Sequence, residues 1–101
     1  MSRIRVEVDP DLVDLVPGFL DNRRADLDSI RVALDRGDYR GIHRIGHNLK
    51  GDSGALGFDG LGEVGRELER AALAQDDATI RAEAVRLADY LERVEVIPGE
   101  A

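Results

Sequence analysis

Two histidines, His43 and His47, stand four residues apart, and Lys50 follows within one helical turn of the second. An imidazole in water titrates near pH 6.5, so its neutral, nucleophilic form is abundant at pH 7. If His47 accepted a phosphoryl group, the product would be an anionic phosphoimidazole. Lys50 could then place an ammonium beside that charge. The His43–His47 spacing can also hold zinc from one helix turn, but a third ligand would have to be a carboxylate and no H-E-x-x-H pattern is present. No metal site is expected, and a metal-dependent hydrolase is disfavoured for the same reason. His43 reads as a solvated residue at the rim of the same face.

These residues must be held by a helix running from Asp38, its cap, to about Leu56, with Gly57 as its stop. Each residue turns a helix by about 100°. With Ile45 at zero, Ile42, Leu49 and Leu56 fall within about 60° on one side. His47 lies at about 200° and is expected to point into solvent. Lys50, Gly51, Gly54 and His43 are read on the same outward sector, with Gly46 and Gly57 at its margin. A glycine in an exposed helix interior costs about 1 kcal/mol relative to alanine. Several around one histidine suggest a bare surface on which a partner can bring a reactive group to the imidazole. Neither an orienting base nor a pocket is evident, which suits an acceptor better than an autonomous enzyme.

The flanking segments supply the scaffold. Residues 3–8 and 93–97 alternate polar and apolar residues and are candidate strands that could pair as a small terminal ladder. Asp9-Pro10 opens a short leading helix through Leu12, Leu15 and Val16, and Pro17 either kinks it or begins the next. That next helix runs to about Arg36, with Phe19, Leu20, Leu27, Ile30 and Leu34 inward, and Gly37 ends it. Asp59 is expected to cap a further helix carrying Leu61, Val64, Leu68, Ala71 and Ala72. Asp76-Asp77 starts the last, with Ile80, Ala84, Leu87, Leu91 and Val94 inward. The expected fold is all-α, an antiparallel four-helix bundle with a short extra N-terminal helix, in a single domain over 1–101 with its bundle at about 10–94.

Composition narrows the partners. The 101 residues carry a net charge of −7, and arginines are interleaved with acids, so nucleic acid and anionic membranes are not expected partners. The absence of cysteine excludes disulfides and cysteine metal sites. No apolar run approaches the roughly 20 residues that span a bilayer, and the first residues lack a signal-peptide core. A cytoplasmic monomer is the simplest expectation.

The stretch His47-Asn48-Leu49-Lys50-Gly51-Asp52-Ser53-Gly54-Ala55-Leu56-Gly57 resembles the signature of the histidine phosphotransfer (HPt) domain, H-x-L-K-G followed six residues later by Gly. Two positions depart from it: Gly46 stands where Ala is common, and Asp52 where a small neutral residue is common. The resemblance implies a four-helix bundle with an added N-terminal helix. It implies that His47 is the phosphoacceptor, Lys50 the phosphate-side cation and Gly51 the opening to the imidazole; Gly51, Gly54 and His43 would form the docking face. The implied partner is a response-regulator receiver domain, alone or within a hybrid histidine kinase. That partner carries an aspartyl phosphate and the Mg²⁺, with no cofactor on this chain. The phosphoryl group would then pass to a second receiver. The protein would be a carrier and not an enzyme, since the receiver catalyses the transfer.

The alternative from another class is a helical adaptor that binds receiver or kinase domains without being phosphorylated. Gly62 and Gly65 fit close helix–helix approach and a docking role equally well. The Arg23-Arg24 pair and the run of Arg66, Glu67, Glu69 and Arg70 read as charged helix surface.

Overall fold

The computed structural model describes residues 2–99; the outermost residues of the expected 1–101 domain lie outside that range. Strand β1 (Ile4–Val8) leads through a single 3-10 turn (Val13–Leu15) into α1 (Val16–Asp35). Helices α2 (Tyr39–Leu56), α3 (Asp59–Leu73) and α4 (Asp77–Arg93) follow, and β2 (Val94–Pro98) closes the described chain. The fold is the expected all-α bundle. The two terminal strands pair in parallel, with Ile4 opposite Val94 and Val8 opposite Pro98.

Local chemistry explains most boundaries. The Asp38 carboxylate accepts the Gly41 N–H, and Asp76 accepts the Thr79 N–H, so both cap as expected. Gly57, at φ +86°, stops α2 in a left-handed conformation that glycine adopts without strain. Three expectations change. The leading helix is only the 3-10 turn, because Pro17 offers no N–H and is tolerated in the first turn of α1 but not inside a longer helix. The cap position of α3 belongs to Phe58, and Asp59 is the first helical residue, where its charge faces the positive end of the helix. Phe58 is there because its side chain is fully buried and stacks on Phe19, with ring centroids 5.0 Å apart. Arg23, read as surface, is buried.

The core takes most of the expected apolar residues of the four helices, joined by Ala33, Phe58 and Tyr90 and by Val6 and Val8 of β1, while Leu20, Leu34 and Val94, expected inward, are only partly buried. Burial pushes the Tyr90 phenol up to about 12. On α2 the buried residues are Ile42, Gly46, Leu49 and Ser53, while Ile45 and Leu56 are only partly buried. The inward direction is therefore rotated by about 40° from the one an apolar count gives. The rotation has a clear cause. A Cβ on Gly46 would stand 2.7 Å from the Gly65 carbonyl oxygen, and one on Gly65 would stand 2.6 Å from the Gly46 oxygen and from the Lys50 nitrogen. Helices α2 and α3 touch backbone to backbone at this crossing and form the most extensive helix pair in the bundle.

Candidate functional site

The Gly46–Gly65 crossing sets what surrounds His47. With the inward direction rotated towards α3, His47 lies about 130° from it, while His43 and Lys50 lie about 90° and 70° away. His47 remains outward, its side chain 65% exposed. His43 and Lys50 belong to the shoulder facing α3 and not to the same outward sector. Gly51 and Gly54 have nothing within 4 Å of where a Cβ would be, so the surface beside the imidazole is bare as expected. Gly46 is not part of that bare surface. Gly65 also serves helix approach, and Gly62 lies only at the edge of contact, 3.9 Å from the Lys50 oxygen.

One residue of α3 organises the shoulder. Glu69, one helical turn beyond Gly65, reaches up between the two histidines and the lysine. Its Oε2 is 3.4 Å from His47 Nδ1 and 3.9 Å from His43 Nε2, and its Oε1 is 2.9 Å from Lys50 Nζ. The Lys50 ammonium, with a smaller contribution from His47, holds the Glu69 carboxyl below its usual value against opposing desolvation. Glu69 is therefore an anion at neutral pH and can only accept. The expectation that His47 has no orienting group nearby is corrected: a carboxylate faces its Nδ1. That contact favours the tautomer with the proton on Nδ1 and leaves the lone pair of Nε2 facing away from Glu69. Sequence reading missed Glu69 because it stands in a run of alternating charges. The small residue four positions before it, Gly65, is the signal that would have placed it at the crossing.

The opposite flank of α2 is different. Arg23 of α1 lies over the Phe19 ring, 4.9 Å from its centroid, with Nε 2.8 Å from Asp26 and an amino group 3.4 Å from Asp52. Asp52, the departure from the signature, thus faces a buried guanidinium and not the imidazole. Among the described residues no group of three or more His, Cys, Asp or Glu side chains is arranged to hold a metal, and no helix is long and apolar enough to cross a membrane.

The helical bundle thus presents a solvated imidazole, backed by a carboxylate and bordered by bare glycines. Residues 14–96 match the family model of the Hpt domain, and the chain belongs to that family. Its members serve histidine phosphotransfer in phosphorelays, interacting with receiver domains and kinases. No curated protein and no solved structure gives a significant match.

Proposed function

We propose that His47 is the phosphoacceptor of this domain. It receives the phosphoryl group from a receiver aspartate and passes it to another receiver. The observation that carries this reading is the exposed His47 ring with its Nδ1 turned to Glu69, beside the open positions at Gly51 and Gly54. The Nε2 lone pair attacks phosphorus in line as the bond from phosphorus to the aspartyl oxygen breaks, and the receiver carboxylate is regenerated with that electron pair. The Nδ1 proton stays on the ring, so the first product is an imidazolium whose N–H points at the Glu69 carboxylate. Glu69 thereby stabilises the charged ring, the form in which imidazole is the better leaving group for the onward step.

The partner supplies most of the catalysis: its Mg²⁺ and surrounding groups neutralise the transferring phosphoryl. This chain contributes a nucleophile, its tautomer and an unobstructed approach, and is a carrier without autonomous turnover. Gly51 and Gly54 let the receiver backbone come close, with His43 at the edge of the docking face. Lys50, expected as the phosphate-side cation, is engaged with Glu69 and holds that carboxylate beside the ring.

The test is transfer from a receiver domain phosphorylated on aspartate, in the presence of Mg²⁺. Label that is acid-labile and base-stable should accumulate on the wild type and vanish in His47→Gln, with the helical circular dichroism signal unchanged. Label persisting in His47→Gln rejects the assignment. An intact wild type that binds receivers yet never takes label favours the adaptor.

A further inference from the structure

The Glu69 contact raises a question of charge. If Nδ1 faces Glu69, a phosphoryl group on Nε2 projects from the opposite edge of the ring. It then points away from both the carboxylate and the lysine bound to it. Lys50 is engaged at 2.9 Å with Glu69 Oε1, and that pair is nearly neutral as seen from the phosphoryl. Any cation of this chain that meets the phosphoryl, beside those the partner brings, comes from elsewhere on its surface.

The surface beside His47 supplies one. A shallow open cleft is lined by four residues alone, Arg40, His43, Arg44 and His47. Arg44 precedes His47 by three residues and Arg40 by seven, so both lie on the helical stripe that carries the imidazole. Both arginines are exposed, and none of the ion pairs among the described residues includes either of them. Seven of the other eleven arginines lie within 4 Å of an aspartate or glutamate, among them Arg23, Arg24, Arg70, Arg86 and Arg93; Arg3, Arg36, Arg66 and Arg81 do not, but none of these four lies beside His47 on α2. In a chain with 21 acidic and 14 basic residues, two arginines without an ion-pair partner border one nucleophile on the side away from Glu69; Arg44 also reaches the cleft that holds Asp38 and Asp52.

We propose that Arg40 and Arg44 form the phosphoryl-binding cleft of this domain, holding the oxygens of phosphohistidine 47 and those of the incoming donor. Guanidinium suits this role because its planar fork offers parallel N–H donors to two phosphoryl oxygens, and because it stays charged throughout. Lys50 is left to fix Glu69. The inference rests on the reading of His47 as phosphoacceptor and names the residues that complete that site.

Phosphoramidate tests it without any partner. Its P–N bond breaks as the Nε2–P bond forms, and ammonia leaves with the electron pair, so the reaction reads this chain's own groups. Wild type, Arg44→Ala, the double variant Arg40→Ala/Arg44→Ala, Arg44→Lys and Lys50→Ala are compared for initial rate, with circular dichroism confirming the fold. Each arginine lost should slow phosphorylation about threefold to fivefold, the effect of a partly exposed charge pair. Arg44→Lys should recover part of the loss, and Lys50→Ala should lower the rate less than the double variant does. In ¹⁵N spectra of the arginine side chains, the Nε–H signals of Arg40 and Arg44 should shift and exchange more slowly once His47 is phosphorylated. A double variant that reacts at the wild-type rate, with arginine signals unmoved by phosphorylation in the wild type, overturns the cleft. A wild type that takes no phosphoryl from phosphoramidate, or a His47→Gln variant that takes as much, rejects the phosphohistidine reading itself and the cleft with it.

Discussion

The two flanks of α2 solve the same problem, holding charge at a helix interface, in opposite ways. Towards α1, the long side chain of Arg23 is buried, lies on Phe19 and is matched by Asp26 and Asp52. Burial there raises the Asp26 carboxyl above its usual value, and the Arg23 guanidinium opposes it. Towards α3, two glycines remove side chains from the contact, the backbones touch, and His43, His47 and Lys50 reach solvent around the largely covered Glu69 above the crossing. A buried charge is held to its partner because losing that partner would leave it uncompensated, and such a pair is tied to the fold. A pair at the surface is cheap to rearrange and can serve chemistry. The α1 flank should therefore dominate stability and the α3 flank reactivity, except where the glycines themselves are disturbed.

The largest effect is expected at the crossing. Gly65→Val would drive a branched side chain into the Gly46 carbonyl and the Lys50 backbone. It should lower unfolding free energy by about 3 kcal/mol in urea titration and remove the Glu69 contact by parting the helices. A midpoint within error of the wild type would mean that the glycines do not set the helix spacing. Next comes Arg23→Ala, which leaves Asp26 half-buried without its cation and strips packing from Phe19. It should cost about 2–3 kcal/mol while phosphorylation of His47 stays near the wild-type rate.

Glu69→Gln is the counterpart on the other flank. Its effect on unfolding should be under about 1 kcal/mol, yet phosphorylation of His47 should slow by about tenfold, as expected when an orienting partner of a reactive imidazole is lost. Equal effects of the Arg23 and Glu69 substitutions on stability and on rate would dissolve the contrast. The smallest effect concerns pH. The Glu69 carboxyl is lowered in the folded state, so its contribution is present above the unfolded carboxyl pKa and fades as pH falls through the lowered folded value. Lys50→Met should move the Glu69 midpoint upward in a ¹³C carboxyl titration and shift that acid loss to higher pH. An unmoved midpoint would show that the lysine does not hold the carboxylate.

Much of this was legible in the sequence, for identifiable reasons. Helix number, the Asp38 and Asp76 caps and the Gly57 stop follow from side chains that act on their own backbone, and the aliphatic core follows from periodicity. The exposure of His47 survived an error in the inward direction, because it lies far enough from the core under either reading. What escaped was set by tertiary contact. Gly46 and Ser53 are the buried face of α2 but count for nothing in an apolar pattern. Phe58 displaced Asp59 from the cap because the core needed an aromatic partner for Phe19. Arg23 and Glu69 each stand among like-looking charged residues, and tertiary contacts distinguish them: Asp52 of α2 for the first, with Phe19 one turn back on its own helix, and the Gly46–Gly65 contact for the second.

The linkage of phosphorus to the ring is the most direct measurement. On ¹⁵N-labelled protein phosphorylated to completion, the long-range ¹H–¹⁵N pattern of the imidazole should assign the phosphoryl to Nε2 of His47, with the proton retained on Nδ1 opposite Glu69. A phosphoryl on Nδ1, or on His43, would contradict the account.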